Sequence, residues 1–316
     1  MTAASGRWAT LRDNPGYTAV RGIARFGPVR GLVVKGRSLA MRASTDRFEA
    51  ARRAELAESA FAQVDPGRFV ETLRRDGMAA GLRLPAGTVA AIRGFAEHHL
   101  VYADREPQQG FALHHRAEAE AALGKPVLVA QYFNAARECP EIAALASDPF
   151  LELAAARFLG SIPRLVGTSL WWTFPVEPTD EDRARHAHQF HRDVDDFAFV
   201  KFFFYLTPVA TNDGGHVCVL GSQHHNVDRT LRDRFRLRRY TDDEVIERFG
   251  TGPITEICGE AGEGFAENTL CIHKGLTPTH SPRLLLQFEF ALFDHGVMHD
   301  ERPPTALREL QLAGSP

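Results

Sequence analysis

A change of pattern near residue 165 constrains this chain more than any other feature of its sequence. Before it, apolar residues recur at helical spacing over 48–62, over 66–76 with Asp76-Gly77 as a stop, and over 88–100 after Pro85. A further helix is expected over 140–161, where Ile142, Leu145, Leu151, Leu153 and Phe158 precede Gly160. After residue 165 come short apolar strands separated by Gly, Pro and Asp. The strand 197–206 is rich in Phe and Tyr, and Asn212-Asp213-Gly214-Gly215 has the chemistry that reverses a chain. A second strand ends at Leu220-Gly221-Ser222-Gln223-His224. Helices first and strands later predict a mainly β core with helices packed on one side. No internal repeat is visible, and 316 residues, 44% of them hydrophobic, suffice for one large sandwich domain with a helical layer.

Charge is placed unevenly. Residues 1–54 carry eleven Arg and Lys against Asp13, Asp46 and Glu49, a balance of +8, so with a net charge of −3 the remainder sums to −11. The whole chain is therefore not expected to bind nucleic acid. The basic opening reads either as a solvated arm or as a peripheral contact with an anionic membrane or partner. Cysteines 139, 218, 258 and 271 form no C-x-x-C, and no run approaches the ~20 apolar residues of a membrane span. A cytoplasmic protein is expected. Cys271 reads as buried packing.

The chemistry concentrates in His188-Gln189-Phe190-His191-Arg192-Asp193. Alternate residues of an extended strand share a face, so His191 and Asp193 project together and can hold two cis positions on one metal ion. A third ligand from a distant strand would complete a 2-His-1-carboxylate facial triad, leaving three positions open on iron(II). His273 and His280 both follow some eighty positions on, His273 ten residues before Arg283. The spacing alone is weak, since His186-Ala187-His188 and His224-His225 arise as cheaply. Arg283 sits inside a strand, 283–290, where an unpartnered guanidinium would cost several kcal/mol, so an anion is expected to meet it. Its planar fork suits a carboxylate.

Residues 189–224, with Cys271-Ile272-His273-Lys274-Gly275 and Ser281-Pro282-Arg283-Leu284-Leu285-Leu286-Gln287-Phe288, resemble the phytanoyl-CoA dioxygenase family of iron(II)- and 2-oxoglutarate-dependent oxygenases. The likeness is strong over 165–293 and looser over 66–164, where Leu73-Arg74-Arg75-Asp76-Gly77 and Thr88-Val89-Ala90-Ala91-Ile92-Arg93 fit the family's opening helix, short strand and following helix. It implies a double-stranded β-helix, the cupin-like jelly roll, with His191, Asp193 and His273 on iron(II) and Arg283 on the distal carboxylate of 2-oxoglutarate, with O2 as oxidant. Because Asp193 holds the carboxylate position, hydroxylation or desaturation is implied and halogenation is not. Some members carry a hydroxyl residue two positions after the distal histidine; here that position is Gly275, and Ser281 is the nearest replacement as partner to Arg283.

These readings divide the chain into a basic arm (1–60), an oxygenase domain (61–296, with helices over 61–164 and the β-helix over 165–293) and a tail (297–316). Lys201, conspicuous in Phe199-Val200-Lys201-Phe202-Phe203, either reaches 2-oxoglutarate or an acidic substrate group, or snorkels from the outer face. Alternation puts Gln287 and Glu289 on the face of Arg283, where they would touch substrate, orient a ligand or bond within the sheet. Gln189, Asp195 and Trp172 are further pocket candidates, although Trp171 and Trp172 cannot both face inward. Asp195, Asp196, Arg192 and His188 give the rim a polarity suited to a hydroxylated or charged small molecule. The expected reaction is hydroxylation of such a molecule, a sugar of the lipopolysaccharide (Kdo) kind or a natural-product intermediate. A zinc or manganese hydrolase or cupin-type isomerase, and a non-catalytic jelly-roll binding protein, are the alternatives. The stretch 229–250, with Arg232, Arg234, Arg236, Arg238 and Arg239 before a capping box at Thr241-Asp242-Asp243-Glu244, reads as a lid or as a surface helix.

Overall fold

The computed structural model describes residues 14–177, 179, 182, 186–225, 238–296, 298 and 300–312. Its strands are β1 (Met78–Arg83), β2 (Leu100–Ala103), β3 (Gly110–Ala112), β4 (Val129–Tyr132), β5 (Arg164–Thr173), β6 (Phe199–Tyr205), β7 (His216–Val219), β8 (Ile254–Ile257), β9 (Glu263–Glu267), β10 (His273–Gly275) and β11 (Arg283–Ala291). Eight form one antiparallel sheet in the order β1-β9-β6-β11-β5-β4-β2-β3, and three form a second, β10-β7-β8. The mainly β jelly roll expected from the sequence is the fold observed. Among the described residues no helix is long and apolar enough to cross a membrane.

Alternation along the large sheet separates two environments. On β11, Leu284, Leu286, Phe288 and Phe290 join Phe202, Phe204, Leu170 and Trp172 in a core beneath the helices. The helix Pro149–Leu159 adds Phe150 and Leu151, the helix Pro66–Asp76 adds Phe69 and Leu73, and Phe61 stacks on Phe204 with ring centroids 5.5 Å apart. The opposite face meets the small sheet, where Trp171, Phe203, Tyr205 and Leu285 pack against Cys218, Ile257 and Cys271. That second interface is lean in apolar residues, and the site occupies the space they leave.

The stretch 140–161 forms two helices where one is expected, Pro140–Ala146 and Pro149–Leu159. Pro149 has no N–H to continue the first helix and disfavours helical geometry at Asp148, whose carboxylate instead caps the Phe150 amide at 2.8 Å. The helix stop at Asp76-Gly77 stands, with Gly77 in the left-handed region at φ 80°.

The basic opening is not a solvated arm among its described residues. Helices Pro15–Ile23 and Gly27–Ala54 run through most of it. Asn14 caps the first by accepting from the Tyr17 amide at 2.9 Å, and buried Tyr17 lies 5.1 Å from the His295 ring. Ala24 enters a cluster with Leu159, Val194, Phe197 and Leu292, and Arg52 pairs with Glu152 at 3.0 Å. The hydrophobic pattern over 48–62 marked only the end of this helix, because its earlier turns bury little. Phe26 is half-buried, and Trp8 lies outside the described residues. The C-terminal stretch also returns to the body: Asp300 accepts from the Thr168 amide at 2.8 Å, and the Leu310 amide donates to Gly110 at 2.7 Å.

Candidate metal centre

His191 and His273 come from distant segments and are joined directly by backbone. Each amide donates to the other's carbonyl at 2.9 Å, and the Asp193 amide donates to Thr269 at 2.8 Å. This short ladder sets the three side chains on one side. Nδ1 of His191 lies 2.8 Å from the Gln189 carbonyl and Nδ1 of His273 lies 2.9 Å from that of Cys271. A carbonyl only accepts, so each Nδ1 carries a proton and Nε2 is the ring atom of each histidine left to meet a metal. Asp193 stands between them, Oδ1 at 3.6 Å from Nε2 of His191 and Oδ2 at 3.6 Å from Nε2 of His273. Ligand atoms of all three residues lie within 4.8 Å of one another, the only such group among the described residues. Two imidazole nitrogens and one carboxylate, with their other polar atoms already oriented, suit a divalent transition metal. His280 is exposed, 3.9 Å from Asp213, and takes no part.

Burial, and then the charge of His273, holds His191 well below the ordinary histidine range, as a ligand requires. Burial also disfavours the charged form of His273, but Glu267 and Asp193 outweigh it and push the pKa up to about 9. Burial would raise Asp193; Lys201 and the histidines overcome this and keep it ionised. Lys201 therefore faces inward and does not snorkel. Its ammonium donates to Asp193 at 2.8 Å and Asp195 at 3.1 Å, with Glu289 at 3.6 Å. Asp195 also receives Arg21 from the first helix at 3.2 Å. A chain of charge, Arg21–Asp195–Lys201–Asp193, thus links the basic opening to the cluster. Glu289 is pushed up to about 8, chiefly by burial, with Lys201 opposing.

A cavity of about 330 Å³ opens over the cluster, lined among others by Trp171, Phe203, Arg283, Leu285, Gln287 and Glu289. Arg283 is 4% exposed and pairs with no carboxylate among the described residues. One Nη donates to the Gly214 carbonyl and the other to Thr173 Oγ1 at 3.1 Å, while Nε, also buried, has no partner. Such a group fits an incoming anion. Ser281 does not supply the hydroxyl: it lies exposed before β11 begins. Thr173 supplies it, because Arg283 and Thr173 are paired positions of β11 and β5. A Cβ at position 275 would fall 3.7 Å from Arg283, so Gly275 leaves open the space that a hydroxyl residue there would fill.

Two further expectations need correction. Trp172 belongs to the helix-side core and donates to Tyr132 at 3.0 Å; Trp171 is the cavity wall. Gln189 contributes its carbonyl to His191, and its side chain does not line the cavity. Asp195 and Gln287 do line it, as do His186, His188, Gln131, Ser169, Arg105, Arg302 and His216, most of which the sequence did not single out. His216 is bound to Glu267 at 2.6 Å and stacks 5.4 Å from His273. Alternation could have flagged Ser169, Trp171 and Thr173 together once one of them was assigned. Of the suspected lid, the capping box at Thr241 and the helix Asp242–Phe249 are present, and Lys274 binds Asp242 at 2.7 Å. Arg232, Arg234 and Arg236 lie outside the described residues.

No family model and no curated protein sequence matches this chain. Solved structures do. HygX from Streptomyces hygroscopicus with nickel and 2-oxoglutarate bound is 16% identical over 71% of this chain and 85% of that one, with a TM-score of 0.50. AviO1 from Streptomyces viridochromogenes Tue57 is 16% identical over 76% and 97%, with a TM-score of 0.46. The epimerase SnoN in complex with Fe3+, alpha ketoglutarate and nogalamycin RO is 18% identical over 78% and 93%, at 0.49. At such identities the likeness to HygX establishes a shared fold.

Proposed function

We propose that this chain is an iron(II)- and 2-oxoglutarate-dependent oxygenase that hydroxylates a polar small molecule, a sugar-linked or natural-product intermediate, as its resemblance to the phytanoyl-CoA dioxygenase family suggests. One observation carries the reading: a single cavity contains both the His191–Asp193–His273 cluster and a buried guanidinium without a carboxylate. A metal-dependent hydrolase needs the first, whereas an oxygenase that takes 2-oxoglutarate needs both. His191, Asp193 and His273 would hold iron(II), and Arg283 the distal carboxylate of 2-oxoglutarate. Bound iron(II), 2-oxoglutarate and O2 supply an oxidant able to take hydrogen from an unactivated carbon, with succinate and carbon dioxide released.

The chain's own part is placement. Lys201 fixes the Asp193 carboxylate and leaves the oxygen facing His191 free of hydrogen bonds from the described residues. Trp171, Phe203 and Leu285 form the dry side of the cavity around Arg283, where a charge-assisted contact is strongest. Gln131, Ser169, His188 and Gln287 offer donors and acceptors for a hydroxylated substrate. Anaerobic addition of iron(II) and 2-oxoglutarate is expected to give a weak visible charge-transfer band, and succinate release should rise with one member of a panel of sugars and natural-product intermediates. Iron-loaded protein that binds no 2-oxoglutarate by calorimetry would sink the oxygenase reading.

We also propose that the helix Gly27–Ala54 meets an anionic membrane surface. Leu32 and Leu39 are 73% and 74% exposed on one side of it, beside exposed Lys35 and Arg42. An apolar stripe flanked by cations lies well at a lipid interface. Sedimentation with anionic vesicles is expected to fall with added salt and to be lost in a Leu32→Asp/Leu39→Asp variant. Equal, negligible sedimentation of wild type with anionic and neutral vesicles rejects the contact.

A further inference from the structure

The charges around the cavity do not cancel evenly. Each of its carboxyl groups has a cationic or histidine neighbour: Asp193 and Asp195 lie on Lys201, Asp195 also on Arg21, Glu289, which burial pushes up, lies 3.6 Å from Lys201, and Glu267, behind the cluster, is bound by His216. Two guanidinium groups facing the cavity pair with no carboxylate among the described residues, Arg283 in its interior and Arg105 at its exposed edge. The first is explained by the co-substrate. The second is not.

Arg105 is held there at a conformational cost. Asp104 and Arg105 follow β2 with φ of 52° and 63°, two consecutive non-glycine residues in the left-handed region, where a side chain is disfavoured. Asp104 anchors the pair: its amide donates to Val129 at 2.8 Å, its carboxylate lies 3.3 Å from His186 Nε2, and Lys125 pairs with it. The turn thereby carries the Arg105 guanidinium to 5.6 Å from the centre of the Trp171 ring. A second observation points to the same place. His186 lines the cavity, is 5% exposed, and its Nδ1 has no hydrogen-bond partner, an orphan that a ligand oxygen or hydroxyl would satisfy. Arg302 lines the same cavity, its guanidinium 5.0 Å from the Phe133 ring.

We infer that Arg105, with His186 beside it, anchors an anionic oxygen group of the substrate, a carboxylate or a phosphate, beside Trp171 in the cavity. The inference rests on the oxygenase reading for the word substrate, and it narrows that substrate from polar to anionic. An arginine over an aromatic ring presents its N–H edge in plane, which suits oxyanions and gives a neutral sugar far less.

Calorimetric titration of inorganic phosphate, glucuronate and glucose into protein, with and without saturating 2-oxoglutarate, tests it. Phosphate, glucuronate or both should bind in either condition and glucose should not; which of the two anions binds separates phosphate from carboxylate recognition. Arg105→Asn, chosen because Asn tolerates the left-handed region, should weaken anion binding by about tenfold or more, the loss of one charge-assisted contact. Arg105→Lys should restore part of it, and both variants should keep the wild-type melting temperature and 2-oxoglutarate affinity. Wild type that binds neither anion overturns the assignment. So does anion binding that 2-oxoglutarate displaces, or that survives Arg105→Asn and disappears in Arg283→Gln. Failure of 2-oxoglutarate itself to bind would count against the oxygenase reading and leave the Arg105 result readable.

Discussion

Asp193→Ala is expected to abolish turnover and to weaken iron(II) binding by at least about a hundredfold, the upper range for loss of a mere supporting contact. The reason is more than one missing donor. Lys201 lies 2.8 Å from the Asp193 carboxylate, and without it that ammonium faces the two imidazoles and repels any cation they would share. His191→Ala and His273→Ala should also end turnover, since two remaining ligands rarely hold iron(II) in a defined geometry. Asp193→Gly is the sharper variant, because it opens a coordination position without adding bulk. Anaerobic metal titration with a competing chelator gives the affinities. Near wild-type binding and turnover in any one variant would remove that residue from the triad.

Arg283→Ala is expected to raise the 2-oxoglutarate requirement far more than the substrate requirement. Truncating one partner of a buried, charge-assisted pair costs roughly 2–5 kcal/mol, or about thirtyfold to several thousandfold in affinity. Arg283→Lys should recover only a fraction, because a point charge cannot span both Thr173 and the Gly214 carbonyl as the fork does. Calorimetry showing wild-type 2-oxoglutarate affinity in both variants would dismiss the clamp.

What could be read from the sequence was whatever depends on local period. Alternation alone placed His191 with Asp193 and Arg283 with Gln287 and Glu289, and the shift from helical to strand spacing announced the sandwich. What could not be read depends on how strands align. Thr173 is 110 positions from Arg283 and becomes its partner only through the β5–β11 register, whereas Ser281, nearer in sequence, falls in the turn before that strand. The same limit assigned the wrong tryptophan: alternation separates Trp171 from Trp172, but only the Tyr132 hydroxyl reveals which one faces the helices. Arg21 looked like one more cation in a basic opening, because nothing local shows that a helix carries it to Asp195.

The alternation on β11 has a consequence for assembly of the chain. Arg283, Gln287 and Glu289 face one way, and Leu284, Leu286, Phe288 and Phe290 the other. If β11 slipped by one residue, an arginine and a glutamate would enter a phenylalanine-lined core and four apolar side chains would point into the cavity. Each stranded charge costs several kcal/mol, so the misaligned form forfeits much of the roughly 5–15 kcal/mol by which a domain is stable. β6 enforces the same alignment, since Lys201 lies opposite both Glu289 and Glu267. The residues that would do the chemistry are thus also the ones that reject a wrongly threaded sheet.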